Sequence, residues 1–215
     1  MASKQQEPKA DERPHYQRLL VATDFSRSAR RALRRALRLP LADRAVVTVL
    51  HVLPAKLPRE LASQADQGAR EQLDKAVGEA REQLRRAGLS GVEVRPLLSR
   101  GKPFVEIIRR GRALGAELLV LGRGAPRRGM RGWLLGATAE RVVRKGDLPV
   151  LVVSQPPARS YQQVLAAVDL TDTSFEIAQL ALRFVAEGGE LALLHAFQLP
   201  FEGAMETYLP DDQVF

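Results

Sequence analysis

The residues best suited to chemistry are a run of glycines and arginines between an apolar strand and a helix. The glycines are Gly122, Gly124, Gly129, Gly132 and Gly136. Among them stand four arginines, Arg123, Arg127, Arg128 and Arg131. Free N–H groups at a helix amino terminus bind phosphate, and glycine lets the backbone approach it closely. Guanidinium groups hold phosphate oxygens through paired hydrogen bonds. The pattern predicts a phosphate-binding loop.

A nucleotide bound to this loop would meet a second set of residues. Asp24 follows the first strand and can accept hydrogen bonds from a ribose, Val52 offers a backbone edge, and Thr138 adds a hydroxyl donor. The predicted binding set is Asp24, Val52, Gly122, Gly124, Arg127, Gly129, Gly136, Ala137 and Thr138. Two alternatives stay open: Asp24 caps the first helix, or the glycines only serve the turn.

The sequence offers no constellation of residues for catalysis. It contains no Ser/His/acid set with suitable spacing, no paired carboxylates at strand ends and no lysine-containing phosphate loop. It also has no cysteine, and its three histidines are scattered, which argues against a metal centre. We therefore expect neither catalytic nor metal-binding residues and predict that the protein is not an enzyme.

Alternating strands and helices must position these residues. Apolar runs predict strands at 18–23, 45–53, 92–98, 117–121 and 149–153, and amphipathic or charged stretches predict helices at 26–39, 60–87, 103–114 and 138–145. This alternation indicates an α/β fold with an open parallel five-stranded sheet and helices on both faces. The strand order 3-2-1-4-5 would bring Asp24 and Gly122 to the same sheet edge.

The chain also contains an internal repeat. The stretch YQRLLVATDFS at 16–26 matches YQQVLAAVDLT at 161–171, and VTVLHVLP at 47–54 matches LALLHAFQLP at 191–200. We infer a complete domain at 16–154 and a partial second copy at 161–215. Residues 1–15 are predicted to be a disordered lead, and the prolines within 155–160 indicate a linker.

Charge is distributed unevenly between the two copies. Residues 1–155 hold 31 of the 33 Lys and Arg and 16 of the 25 Asp and Glu, a net charge of +15, whereas residues 156–215 carry −7. The arginines of the first helix are expected to form a solvated face. The absence of cysteine, of a signal peptide and of a long apolar run favours a cytoplasmic protein without membrane attachment.

The ordered motifs resemble the universal stress protein (UspA) family. They are LLVATDFSRSARRAL, TVLHVL, SRGKPFVEII and LLVLGRG…GMRGWLLGATAERVVRKGDLPVLVV, and VLAAVDLTDTSFEIAQLAL resembles the opening of another such domain. The resemblance implies a fold related to adenine nucleotide alpha hydrolases, a tandem arrangement with an incomplete second domain, a stress-response role and homodimers.

The resemblance also implies ATP or another adenine nucleotide as a ligand. ATP-binding members share the pattern glycine, two residues, glycine, nine residues, glycine, then serine or threonine. Counting back from Gly136 puts Pro126 at the second glycine, and Ala137 replaces the hydroxyl residue. We predict a regulatory or protective stress protein that binds an adenine nucleotide. The alternatives are a nucleic-acid-binding stress protein that uses the basic domain, which the low aromatic content disfavours, and a weak ATP hydrolase.

Overall fold

The computed structural model describes residues 15–124 and 135–197, and the chain divides into two compact units between Ser160 and Tyr161. The elements of the first unit are β1 (Tyr16–Thr23), α1 (Arg27–Ala36), β2 (Leu41–Leu53), α2 (Arg59–Arg86), β3 (Glu93–Arg100), α3 (Pro103–Ala113), β4 (Leu118–Gly122), α4 (Ala137–Lys145) and β5 (Val150–Val153). The second unit contains β6 (Tyr161–Ala167), α5 (Thr173–Leu182) and β7 (Val185–Leu194).

The first unit has a five-stranded sheet in the order β3-β2-β1-β4-β5 with every pairing parallel, which confirms the predicted topology. Leu20 and Leu50 are 1 % exposed and pack with Ile107 of α3 and Val142 of α4. Their neighbours along the strands, among them Val21, are just as buried and point to the opposite face. Burial on both faces explains why the strands read as continuous apolar runs.

The second strand begins earlier than its apolar run predicts. Tyr16 pairs with Leu41, but Arg18 already pairs with Val46, so β2 bulges between these two pairs. The bulge carries the charged residues Asp43 and Arg44. Because these side chains interrupt the apolar pattern, sequence reasoning places the start of the strand at Ala45 and misses its first four residues.

The second unit repeats this irregularity in a separate two-stranded parallel sheet. Tyr161 pairs with Val185, whereas Gln163 pairs with Glu190, so the register shifts by the same three residues as in β1 and β2. The sequence repeat therefore extends to the pairing of the strands.

The turn after the first strand of each unit is also shared. Phe25 and Leu170 have φ angles of 61° and 60°, a left-handed conformation that is uncommon for side chains of this size. Each follows an aspartate whose Oδ1 accepts a hydrogen bond from a backbone N–H two residues on, at 3.0 Å for Asp24 and 3.1 Å for Asp169. Each unit also has a histidine in this region. His51 of β2 lies with Nδ1 2.8 Å from the Thr23 carbonyl, and His195, directly after β7, lies with Nδ1 2.9 Å from the Val168 carbonyl.

The arginines of α1 do not form a purely solvated face. Arg31 and Arg35 of α1, and Arg38 just beyond its end, donate hydrogen bonds to the carbonyls of Ser154, Arg159 and Ala158, at 3.3, 2.8 and 2.5 Å. The segment that follows β5 is therefore fixed to this helix. In the part of the chain that the structure describes, no helix is both long and apolar enough to cross a membrane.

Candidate functional site

A cavity of about 300 Å³ lies at the carboxyl ends of β1 and β4. It is lined by Ala22, Thr23, Asp24, Ser26, Ser28, Ala29, Leu50, His51, Val52, Pro103, Ile107, Leu121, Gly122, Arg123, Gly124, Gly136, Ala137, Thr138 and Ala139. Seven residues of the predicted binding set are in this lining. The other two, Arg127 and Gly129, lie outside the described residues.

One part of the cavity wall is apolar. Leu50 and Val52 come from β2, Ile107 from α3 and Leu121 from β4, and Pro103 contributes the first turn of α3. Ligand cavities of this kind hold the flat or apolar part of a small molecule, and a few polar groups fix its orientation. The polar groups here come from the turn after β1 and from the residues that flank α4.

The turn after β1 is held by its own side chains. Asp24 Oδ1 accepts a hydrogen bond from the Ser26 N–H, and Ser26 Oγ accepts one from the Ala29 N–H at 3.2 Å. Ser26 is thus the N-cap of α1, and Asp24 supports the turn before it. Asp24 itself is exposed, and its Oδ2 has no hydrogen-bond partner among the described residues.

Three glycines join the two ends of the segment between β4 and α4. A Cβ atom on Gly122 would lie 2.6 Å from the Ser28 carbonyl carbon, so a larger residue would displace α1. Gly124 has φ +77° and donates its N–H to Ser28 Oγ at 3.1 Å. The Gly136 N–H donates to the Arg123 carbonyl at 2.7 Å. These glycines are required for chain packing, whatever else they do.

The same packing presents the amino terminus of α4 to the cavity. Gly136 is the N-cap residue, its backbone is extended, and no side chain caps the first turn. The N–H groups of that turn have no partner within the helix, and Ala137, Thr138 and Ala139 all line the cavity. A free helix amino terminus favours an anion. Arg123 adds a positive charge to the same wall.

Sequence reasoning missed the contribution of the β1–α1 turn. Thr23, Ser26 and Ser28 bring hydroxyl groups to the cavity, and His51 lies with Nδ1 2.8 Å from the Thr23 carbonyl. The spacing of Ser26 and Ser28 indicates helix caps, which is what Ser26 is, but the packing of Ser28 against Gly124 has no local signal. Among the described residues, no three His, Asp or Glu side chains are grouped as metal ligands.

Comparisons with known proteins agree on one family. The universal stress protein family model matches residues 15–154. A universal stress protein of Methanocaldococcus jannaschii is 28% identical over 149 residues, which are 66% of this chain and 84% of that protein. The crystal structure of a universal stress protein from Archaeoglobus fulgidus is 21% identical and covers 90% of this chain and 71% of its own, with a TM-score of 0.61. A universal stress protein from the same organism, in complex with dAMP, is 25% identical with a TM-score of 0.46, and covers 65% of this chain and 98% of its own.

Proposed function

The chain belongs to the universal stress protein family, and we propose that it is a stress-response regulatory or protective protein that binds ATP or another adenine nucleotide in the cavity at the ends of β1 and β4. The observation that carries this proposal is the uncapped amino terminus of α4, which opens into a cavity with an apolar wall. An adenine nucleotide would place its phosphate at that terminus and its purine against the apolar wall, so that it contacts both the polar and the apolar part of the cavity.

The lining suggests where each part of the nucleotide would lie. The N–H groups of Ala137 and Thr138 would donate to phosphate, with Arg123 as the counter-charge. The exposed carboxylate of Asp24 would accept hydrogen bonds from the ribose hydroxyls. The base would pack on Val52 and Ile107. Arg127 and Gly129 belong to the same proposed site through their place in the sequence alone.

We also propose that the nucleotide acts as a ligand and is not turned over. Among the described lining residues, Asp24 is the one carboxylate, and no lysine is present to neutralise charge on a transferring phosphoryl group. The test is phosphate release from ATP, measured against a blank without protein. Release above that blank, and lost on Thr138→Glu, would establish the hydrolase alternative instead.

Residues 161–215 are proposed to be a second copy of the opening of the domain, which follows a linker at 155–160. Its support is the shared register shift of the strand pairs and the shared aspartate turn. Homodimers remain part of the proposal, because the family resemblance implies them.

The binding proposal is tested by calorimetric titration with ATP, ADP and AMP. Thr138 is exposed in the first turn of α4, where a carboxylate is compatible with the helix dipole. Thr138→Glu should therefore fold normally but repel phosphate, and we expect at least a tenfold loss of ATP affinity. Thr138→Gln is the matched control, because glutamine has the shape of glutamate without its charge, and this variant should retain most of the ATP affinity. Equal ATP affinity in the Glu and Gln variants, or no binding by the unmodified protein at millimolar ATP, would refute the proposal.

A further inference from the structure

A second cavity, of about 410 Å³, lies between α1 and α2. We call it the α1–α2 groove. It is lined by Thr23, Phe25, Ala29, Arg30, Leu33, Arg34, Leu37, Gln72, Lys75, Ala76, Glu79, Ala80 and Gln83. It shares Thr23 and Ala29 with the cavity at the ends of β1 and β4, but its charged residues are different ones.

The floor of the groove is apolar. Leu33, Leu37 and Ala80 are buried, at 8%, 4% and 2% exposure. Phe25 reaches the groove from the β1–α1 turn, and its ring centroid lies 4.4 Å from that of His51. The left-handed backbone of Phe25 is held by Arg30, whose Nη1 donates to the Phe25 carbonyl at 2.9 Å. In the first unit this turn places an aromatic ring at the groove.

The rim of the groove is positive. Arg30, Arg34 and Lys75 are exposed on it, against one carboxylate, Glu79. In the ranges 15–124 and 135–197, neither Arg34 nor Lys75 has an ion-pair or hydrogen-bond partner. Other arginines of the first unit are paired: Arg85 and Arg86 with Glu82, Arg95 with Glu93, and Arg112 with Asp147. Cations without a counter-ion beside an apolar floor favour a ligand that is both anionic and apolar.

We propose that the α1–α2 groove binds a small amphipathic anion, with an apolar chain on the Leu33 and Phe25 floor and a carboxylate or phosphate head between Arg34 and Lys75. The groove is long enough to hold an extended apolar chain. Its lining spans about 12 Å of α1 and about 17 Å of α2, at 1.5 Å per residue. The site does not depend on nucleotide binding.

The experiment is a calorimetric titration of the full chain with three ligands that share a ten-carbon tail, each kept below its micelle concentration. Decanoate and decyl phosphate are the anions, and decyltrimethylammonium is the cation. We expect both anions to bind and the cation not to bind, and the affinity of the anions to fall as salt is added. Comparing the two anions also decides between a carboxylate and a phosphate head.

Two double variants with the same change in net charge separate the site from general electrostatics. Arg34→Glu/Lys75→Glu reverses the rim, and we expect at least a tenfold loss of decanoate and decyl phosphate binding. Arg27→Glu/Arg70→Glu changes the same two helices at exposed positions outside the groove, and should bind as the unmodified protein does. All four positions are exposed, so thermal unfolding should change little.

A third variant tests the floor without changing charge. Ala76 is half-buried in the groove, and Ala76→Phe would fill it, so both anions should bind at least tenfold more weakly. The proposal is overturned if neither anion binds the unmodified protein, if the cation binds as well as the anions, or if both double variants lose the same affinity. Folded Ala76→Phe that binds decanoate normally would also overturn it.

Discussion

Ala137 is the first residue of α4, and its side chain lies at the cavity where we place phosphate. A serine there would restore the hydroxyl that the family pattern has after Gly136. One additional hydrogen bond contributes about 0.5–1.5 kcal/mol, so we expect Ala137→Ser to raise ATP affinity about two- to tenfold. Calorimetric titration measures the gain, and adenosine is the control ligand. A gain of the same size with adenosine, which lacks phosphate, would place the hydroxyl elsewhere on the ligand.

Glu106 is another single residue with a measurable role. It is 7% exposed, accepts a hydrogen bond from Ser99 Oγ at 2.5 Å and pairs with Arg109 at 2.6 Å. These contacts join the end of β3 to α3, whose first turn borders the cavity. Glu106→Gln would leave the arginine unpaired, and we expect a loss of about 1–3 kcal/mol in the free energy of unfolding at pH 7. Glu82→Gln, on a residue whose side chain is 38% exposed and pairs with two arginines, should have little effect.

The pH dependence of this effect follows from the same contacts. The hydrogen bond from Arg109, and then that from Ser99, lowers the pKa of Glu106 below its ordinary value of 4.5. A depressed pKa in the folded state means that the carboxylate stabilises the fold above pH 4.5 and loses this contribution as the pH falls through the lowered pKa. Denaturant titrations at pH 7, 5 and 3 should show the difference between Glu106→Gln and the unmodified protein shrinking toward pH 3. A constant difference would mean that shape, and not charge, matters at this position.

At the scale of elements, the glycines of α2 and of the end of β4 differ in the space around them. A Cβ on Gly78 of α2 would meet nothing within 4 Å, whereas one on Gly122 would collide with the α1 backbone. Gly78→Ala should therefore raise the free energy of unfolding by about 0.5–1 kcal/mol, because glycine is a poor helix former. Gly122→Ala should lower it by about 1–3 kcal/mol through overpacking. Chemical denaturation compares the two, and Gly68→Ala is a second helical control. Equal effects of Gly78→Ala and Gly122→Ala would contradict this packing.

The elements themselves were largely predictable, and the reason is periodicity. Buried parallel strands give continuous apolar runs, and amphipathic helices such as α1 give apolar residues with a period of about 3.6. The sheet order then followed from the restriction of crossover connections to one hand. The bulge at Asp43 and the left-handed Phe25 have no such periodic signal. The arginines of α1 were interpreted as solvated because their partners are backbone carbonyls more than 100 residues away.

The candidate site shows the same division. Asp24 and Gly122 were predictable because the ends of parallel strands converge on one edge of the sheet. Ser28 was not, since its contact with Gly124 depends on how α1 packs against β4. The predicted residues Arg127 and Gly129 remain predictions, as they lie outside the described part of the chain.

At the scale of the whole molecule, α1 fixes the segment that precedes the second unit. Arg31 of α1, and Arg38 two residues beyond the end of α1, donate to carbonyls on both sides of the prolines Pro156 and Pro157. We expect Arg31→Ala/Arg38→Ala to speed tryptic cleavage after Arg159 severalfold, because a protease requires a mobile segment. Mass spectrometry of timed digests locates the cut. Arg27→Ala/Arg34→Ala removes two arginines of α1 that have no hydrogen bond to the segment. Equal rates in the two variants would show that the hydrogen bonds do not restrain it.

The second unit exposes apolar surface that its counterpart in the first unit buries. Leu165 and Leu194 occupy the repeat positions of Leu20 and Leu50, yet they are 63% and 49% exposed where those residues are 1% exposed. In the first unit α3 and α4 cover this face, and residues 161–197 contain no equivalent helices. Contiguous exposed apolar side chains are typical of association surfaces.

This difference predicts association between copies of the chain through the second unit. Leu165→Ser/Leu194→Ser should reduce concentration-dependent association at least tenfold in sedimentation velocity and leave the melting of the first unit unchanged. Leu61→Ser/Leu114→Ser alters two leucines that are exposed on the first unit, at 52% and 39%, and should associate as the unmodified protein does. If the unmodified chain stays monomeric up to hundreds of micromolar, or if both variants associate equally, the exposed leucines do not form an interface. If only the Leu165→Ser/Leu194→Ser variant associates more weakly, the second unit is responsible for self-association, because the matched change on the first unit removes as many leucines without effect.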